Sequence, residues 1–416
     1  MTLEQALQAL HDARGETVGL LSDLIRIPSV GGTDAETAVV HHTAELLSAA
    51  GVEVDLWQLP LDDLTARPDF PGMEVARAEA WGVVARVPGA GEGRSLLLDG
   101  HLDVVPPGDL AAWTDDPWSG RTTATHVHGR GACDMKGGVA AALAALLAVH
   151  RSGATPPGDL LFAGVVGEED GGLGTYATLA RGWRADRCVI TEPTGLDVMA
   201  ANGGALTFRL RVPGLAAHAS TRTAGVSAVE KFQPVFTALR RFEASRTASV
   251  DPLMRRWQVA YPLEIGTVRA GDWSSSVPDL LVAEGRFGVA LDEPVEAARA
   301  AFEAVVAKAS ATDSWLARHP VTVEWWGGQF ASGRCPSDSD LVPTILAAHS
   351  RTASPAQAAA VFGAPYGSDL RLLTAVGIPT VQYGPGEGFG HCPDERTPIA
   401  HVHRCAQTLL ELAWTP

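Results

Sequence analysis

A chain of 416 residues with 46% hydrophobic and 19% charged residues has apolar material for two buried cores and lacks the low hydrophobicity of a disordered chain. Its net charge of -16, without any cluster of Lys and Arg, speaks against a nucleic-acid surface. The five cysteines are scattered and never spaced as C-x-x-C, which predicts a reducing, cytoplasmic setting.

Residues 1–30 mix acidic and apolar positions at helical spacing, with no basic start and no apolar block, so the pattern predicts an amphipathic helix and not a signal peptide. From Ser95, SLLLDGHLDVV reads as a buried strand ending in a polar loop. GGVAAALAALLAVH predicts a buried Ala-rich helix, and its apolar run is far short of the ~20 residues of a membrane span. No membrane partner is expected. DLLFAGVVGEED and RCVITEP then repeat a pattern of apolar run closed by acids. Strand, acids, helix, strand, acids is the rhythm of an α/β sheet, where ligands gather beyond the carboxyl ends of the strands.

After Gly195 the pattern changes. ALTFRLRVPG alternates as a half-exposed strand, a helix follows over 226–240, LEIGTVRAG and LLVAEGRFGVAL alternate again, a helix opens at Asp292, and PVTVEWW closes the set. Strand, helix, strand, strand, helix, strand is the split βαβ (ferredoxin-like) order, a unit that can be inserted in another domain. The α/β rhythm resumes with a helix over 340–348 and the apolar segment IPTVQYG. The expected organisation is therefore one α/β domain formed by 1–199 and 331–416, with an inserted α+β unit over 200–330.

His101 closes the first of these strands, and Asp103 two residues on can orient its ring, as a carboxylate commonly does for a metal-bound imidazole. An H-x-D pair also occurs by chance. Asp134 lies between glycines in GRGACDMKGG, where it can bridge two cations or cap the following helix. Glu168 and Glu169 are adjacent at a strand end, so one can bind metal while the other serves as a base. Glu192 in ITEPTG is a ligand candidate or a cap, and His391 sits in a loop too glycine-rich for a core. The nearby Glu387, Asp394 and Glu395 support the site or are merely solvated. Cys133 is read as a small buried residue, and His126 and His128 as strand residues sharing a face. Two histidines and three carboxylates form a set suited to paired Zn²⁺, with Co²⁺ or Mn²⁺ as alternatives.

The ordered motifs LLLDGHLDVVP, GRGACDMKGG, GVVGEED, TEP, AHAS and GHCPDE resemble the family of acetylornithine deacetylase, succinyl-diaminopimelate desuccinylase, aminoacylase and carboxypeptidase G metallopeptidases, over nearly the whole chain. The resemblance implies a zinc-peptidase-like catalytic domain whose inserted unit is a lid and dimerisation domain. It implies that Asp134 bridges two metals, that His101 and Glu192 complete one site and Glu169 and His391 the other, and that Glu168 is the base. A cis peptide between Asp134 and Met135 is implied as well. So are an oxyanion donor at His218, reaching the neighbouring subunit of a homodimer, and a carboxylate-holding arginine at Arg286. His218 can also be a capping or packing residue. Ser275 in SSSVP stands where many relatives carry Asn, which leaves the substrate open. The implied activity is hydrolysis of an N-acyl amino acid. The alternatives are a carboxypeptidase or dipeptidase acting on short peptides with the same site, and a non-catalytic metal- or ligand-binding relative.

Overall fold

The computed structural model describes residues 2–415. Its strands in chain order are β1 (Glu53–Gln58), β2 (Trp81–Val87), β3 (Leu96–His101), β4 (His126–His128), β5 (Leu160–Val165), β6 (Arg187–Ile190), β7 (Val198–Asn202) and β8 (Gly204–Pro213). They continue as β9 (Leu263–Ala270), β10 (Leu280–Val289), β11 (Thr322–Phe330), β12 (Gly333–Arg334), β13 (Val361–Ala364), β14 (Thr380–Gln382) and β15 (Arg396–Pro398). Two compact units result. The first comprises Met1–Ala201, Arg334–Phe362 and Asp369–Pro416, and the second Asn202–Gly333 with the short return Gly363–Ser368.

Among the described residues, one mixed sheet runs β1-β2-β5-β3-β6-β14-β7-β12, with β13 beside β7. Its centre is parallel: β3 lies between β5 and β6, and β14 follows β6. β3 and β5 are buried at every position, which is why they read as unbroken apolar runs and not as alternating ones. The N-terminal segment forms two helices, Leu3–Asp12 and Arg14–Arg26, where the sequence suggested one; Ala13 caps the first and opens the second. Both pack on the helix Lys136–Ser152, as does the C-terminal helix Ile399–Ala413. Residues 136–149 of that central helix are all buried, so its many alanines act as thin spacers that let neighbours approach on every side.

The second unit is a four-stranded antiparallel sheet in the order β11-β8-β10-β9, with the helices Ala228–Thr247 and Val295–Ala311 packed together and on the sheet. This is the split βαβ arrangement. Alternation along β8 puts Phe208, Leu210 and Val212 into a core with Phe287 and Phe302, while Arg209 and Arg211 take the opposite face. There Arg209 Nε donates to Glu284 at 2.7 Å and Arg211 Nε to Glu324 at 2.6 Å, a cross-strand charge ladder. No helix among the described residues is long and apolar enough to cross a membrane.

At Gly138 the central helix meets the end of β6: a Cβ there would lie 1.8 Å from the backbone oxygen of Thr191, next to Glu192. Neither partner is a flexible side-chain tip. Gly138→Ala should therefore destabilise the chain by about 1–3 kcal/mol, the usual range for overpacking a filled site. Urea unfolding would measure it, and an unchanged midpoint would mean that the helix has room to retreat.

Candidate metal centre

The parallel register sets β3, β5 and β6 side by side, so their carboxyl ends deliver His101, the Glu168–Glu169 pair and Glu192 to one edge of the sheet. His101, the last residue of β3, is 1% exposed. Its Nδ1 lies 2.9 Å from the carbonyl oxygen of Asp103. A carbonyl can only accept, so Nδ1 carries the proton and Nε2 points toward Asp134 Oδ1 at 3.1 Å and Glu192 Oε1 at 4.0 Å. The ring is thus held by the main chain of Asp103, whose carboxylate stands back at 3.8 Å. That carboxylate instead accepts the N–H groups of Glu168 and Glu169, each at 3.4 Å. The expected orienting role of Asp103 is corrected accordingly: its carbonyl holds the ring, and its side chain faces the loop of the acidic pair, which follows the neighbouring β5.

Asp134 occupies the centre. Its Oδ1 faces His101 and its Oδ2 lies 3.4 Å from His391 Nε2. It does not cap the helix that follows, whose N-cap is Met135, and the Asp134–Met135 peptide is cis. His391 has a φ of 62°, uncommon for a residue with a side chain, and its Nε2 meets Glu169 Oε2 at 3.1 Å. Donor atoms of His101, Asp134 and Glu169 lie within 4.8 Å of one another, and so do those of His101, Glu168 and Glu192. All six predicted residues are brought together.

Charge is crowded here. Burial, followed by repulsion from Glu192 and Asp369, pushes the Glu168 carboxyl well above the usual carboxylate range. Burial and the Asp134 charge do the same to Glu192. Asp103, wholly enclosed, rises to about 7 for the same first reason. The imidazoles are raised as well, against the effect of burial. Burial alone would lower His101, but its hydrogen bond to Asp134 and the charges of Glu192 and Asp103 hold it well above its ordinary value. Hydrogen bonding to Glu169 lifts His391 to about 9. Excess buried negative charge that grips protons this firmly is what a divalent cation relieves by displacing them.

Several partners escaped the sequence. Glu395 Oε1 accepts the N–H of Cys133 at 2.8 Å and of Asp134 at 2.9 Å, while its Oε2 accepts from Arg130 Nη1 at 2.5 Å. Arg130 Nη2 also donates to the carbonyl of His391 at 3.3 Å. One buried ion pair therefore ties together the two loops that carry Asp134 and His391. Lys136 Nζ donates to the carbonyls of Leu24 and Ile27, anchoring the other side of the Asp134 turn at a helix C-terminus. Only the position of Glu395 inside GHCPDE hinted at any of this. Burial pushes the Cys133 thiol up to about 12, which leaves it a packing residue. His126 Nε2 lies 3.3 Å from Glu387 Oε2, and neither His126 nor His128 joins the donor groups among the described residues.

The remaining predicted residues belong to the second unit. His218 is exposed and its Nδ1 accepts the Ser220 N–H at 3.1 Å, the capping geometry that was its plain alternative. Because that nitrogen accepts, the neutral ring carries its proton on Nε2. The carbonyl of Ser275 accepts the N–H of Ala219 at 2.9 Å, so Ser275 lies beside the His218 turn. Arg286 stands on β10 with its guanidinium over the Phe330 ring, 5.4 Å from the centroid.

A parallel-centred sheet with histidines and carboxylates at its strand ends, together with a separate split βαβ unit, defines the class: a metallopeptidase-type α/β fold. The chain belongs to peptidase family M20/M25/M40, whose pattern matches residues 97–415. It is 40% identical over 213 residues to the succinyl-diaminopimelate desuccinylase of Methylobacterium nodulans, covering 48% of this chain and 49% of that protein. The match thus spans about half the length of that relative. The N-formyl-4-amino-5-aminomethyl-2-methylpyrimidine deformylase of Halalkalibacterium halodurans is 25% identical over 98% of this chain and 96% of its own. A di-peptidase from Saccharomyces cerevisiae has the same fold, with a TM-score of 0.77 at 15% identity over 99% of this chain and 98% of that one.

Glu395→Gln keeps the shape of this buttress and removes its charge opposite Arg130. The chain should remain folded by circular dichroism while divalent-cation affinity falls about ten- to hundredfold, the usual effect of removing a ligand's outer partner. Calorimetric titration with Zn²⁺ measures it, and an unchanged affinity would reduce Glu395 to a packing residue.

Proposed function

We propose that this chain is a metal-dependent amidohydrolase that removes the acyl group from an N-acyl amino acid. The observation that carries the reading is the buried excess of carboxylates around His101 and His391, with the two oxygens of Asp134 turned one to each imidazole. The donor set fits a pair of divalent ions: Asp134 shared, His101 and Glu192 on one side, Glu169 and His391 on the other. Imidazole with carboxylate favours Zn²⁺, with Co²⁺ and Mn²⁺ as substitutes. Ions bound there would polarise the acyl carbonyl and make water acidic enough to ionise near neutral pH.

Glu168 is the base in this reading. Its raised affinity for a proton suits a carboxylate that takes one from water and returns it to the leaving nitrogen. Asp103 holds the backbone of the loop from which Glu168 acts. His218, with its Nε2 proton directed outward, is suited to donate to a developing oxyanion, and Arg286 to bind a substrate carboxylate. Unit two then serves as lid and homodimer surface, in a cytoplasmic enzyme.

Purified protein should release free amine from at least one of N-acetyl-ornithine, N-succinyl-diaminopimelate, an N-formyl compound and a dipeptide. A chelator should abolish the release and Zn²⁺, Co²⁺ or Mn²⁺ restore it. Preference for the dipeptide would make the chain an exopeptidase, chelator-resistant release would remove the metal, and no release from any would favour a binding protein. Metal analysis should find about two ions per chain, as the donor set implies. Glu168→Gln should lower kcat by about 10²–10⁴-fold with metal content unchanged; near wild-type turnover would remove Glu168 as the base.

A further inference from the structure

The segment between the short helix Leu61–Thr65 and β2 carries no motif, yet the side chain of Arg77 within it is completely buried. Its Nε and Nη2 donate to the two oxygens of Glu36, each at 2.8 Å, and its Nη1 and Nη2 to the two oxygens of Asp170, at 2.9 and 2.8 Å. Asp170 is the residue after the Glu168–Glu169 pair. Its Oδ2 also accepts the N–H groups of Glu74 and Val75, and Glu36 accepts that of Gly32. The two backbones touch as well: a Cβ at Gly171 would lie 2.0 Å from the oxygen of Gly72.

We propose that Arg77 is a positioning residue for the hydrolysis, clamping the Glu168–Glu169 loop to the helix Asp34–Ala49 through Asp170 and Glu36. The proposal rests on the metal-hydrolase reading above. A planar guanidinium is the side chain that can meet two carboxylates with paired bonds at once, and an ammonium cannot replace it bond for bond. The loop is held at both ends of its acidic run. Asp103, just past the end of β3, fixes the N–H groups of Glu168 and Glu169, and Arg77 fixes the next carboxylate. Without the guanidinium, two buried carboxylates face each other with no cation between them, and they must protonate, admit water or separate. Each of these moves the loop. A displacement of about 1 Å at a reacting group is enough for a hundredfold loss of rate.

Arg77→Lys keeps the charge and most of the volume, and Glu36→Gln weakens the clamp from its far side. Both should be folded by circular dichroism. Amide hydrogen exchange across 167–172 should accelerate in each, the Co²⁺ ligand-field spectrum should shift, and kcat on the best panel substrate should fall about ten- to hundredfold with KM within about twofold. A lower melting temperature with exchange, spectrum and kcat all at wild-type values would overturn the proposal. If wild-type protein takes up no Co²⁺ and turns over no substrate, the hydrolase reading fails, and exchange across 167–172 alone decides the clamp: faster exchange supports it and unchanged exchange overturns it.

Discussion

Negative charge held out of water at the carboxyl ends of β3, β5 and β6 is the constraint on which the first unit depends. Four carboxylates, the buried Glu168 and Glu192 and the half-buried Asp134 and Glu169, stand beside two imidazoles, and the buried Asp99, Asp103 and Asp369 lie behind them. Burial and mutual repulsion push Asp99 well up, with Asp369 the nearest cause after desolvation. Leaving such groups ionised and unpaired would cost several kcal/mol each. A divalent cation at the centre would allow the set to ionise together, so the chemistry of the site and the stability of its fold are the same electrostatic problem.

The structure answers that problem by fixing main chain more than side chain. Asp103 receives the N–H groups of Glu168 and Glu169, and Glu395 those of Cys133 and Asp134. Each donor loop is thereby pinned by an acid that does not itself belong to the donor set. The acids are balanced in turn by guanidinium groups buried beside them, Arg130 for Glu395 and Arg77 for Asp170 and Glu36. Gly171 lets its backbone approach that of Gly72, beside the bonds that Asp170 accepts from Glu74 and Val75.

What was legible in the sequence follows from how local its cause is. β3, β5 and β6 were readable because each is a short apolar run closed by its own functional residue, and the split βαβ unit because its alternation and helices succeed one another without interruption. His101, Asp134, Glu169, Glu192 and His391 were each ambiguous alone, and their order identified the family that the pattern match to residues 97–415 bears out. Arg77 and Asp170 are 93 positions apart, and Arg130 and Glu395 are 265 apart, so neither pair leaves any periodic or neighbouring trace. The ring of His101 shows the same limit at short range. H-x-D suggested a carboxylate partner, but whether the side chain or the carbonyl of Asp103 turns toward Nδ1 is set by the chain path after β3. The return of Gly363–Ser368 to the second unit has no sequence signature either, being a matter of packing.

Buried ion pairs are a poor way to gain stability, since apolar residues of the same volume often do as well or better. Two such networks flanking one site therefore need another reason. Apolar packing tolerates small slides and rotamer changes, whereas paired bonds between a guanidinium and a carboxylate fix distance and orientation together. Both networks lie against loops whose side chains must meet one centre from different directions, and neither is found where the sheet is merely packed. Arg187, another buried arginine, makes the contrast: it spans to the carbonyls of Leu412 and Thr415 at the far end of β6, away from the donor residues, and burial lowers it to about 10. There the guanidinium joins a helix end to a strand. At Arg130 and Arg77 it sets where a carboxylate points, and that is the property a donor set converging on one centre requires.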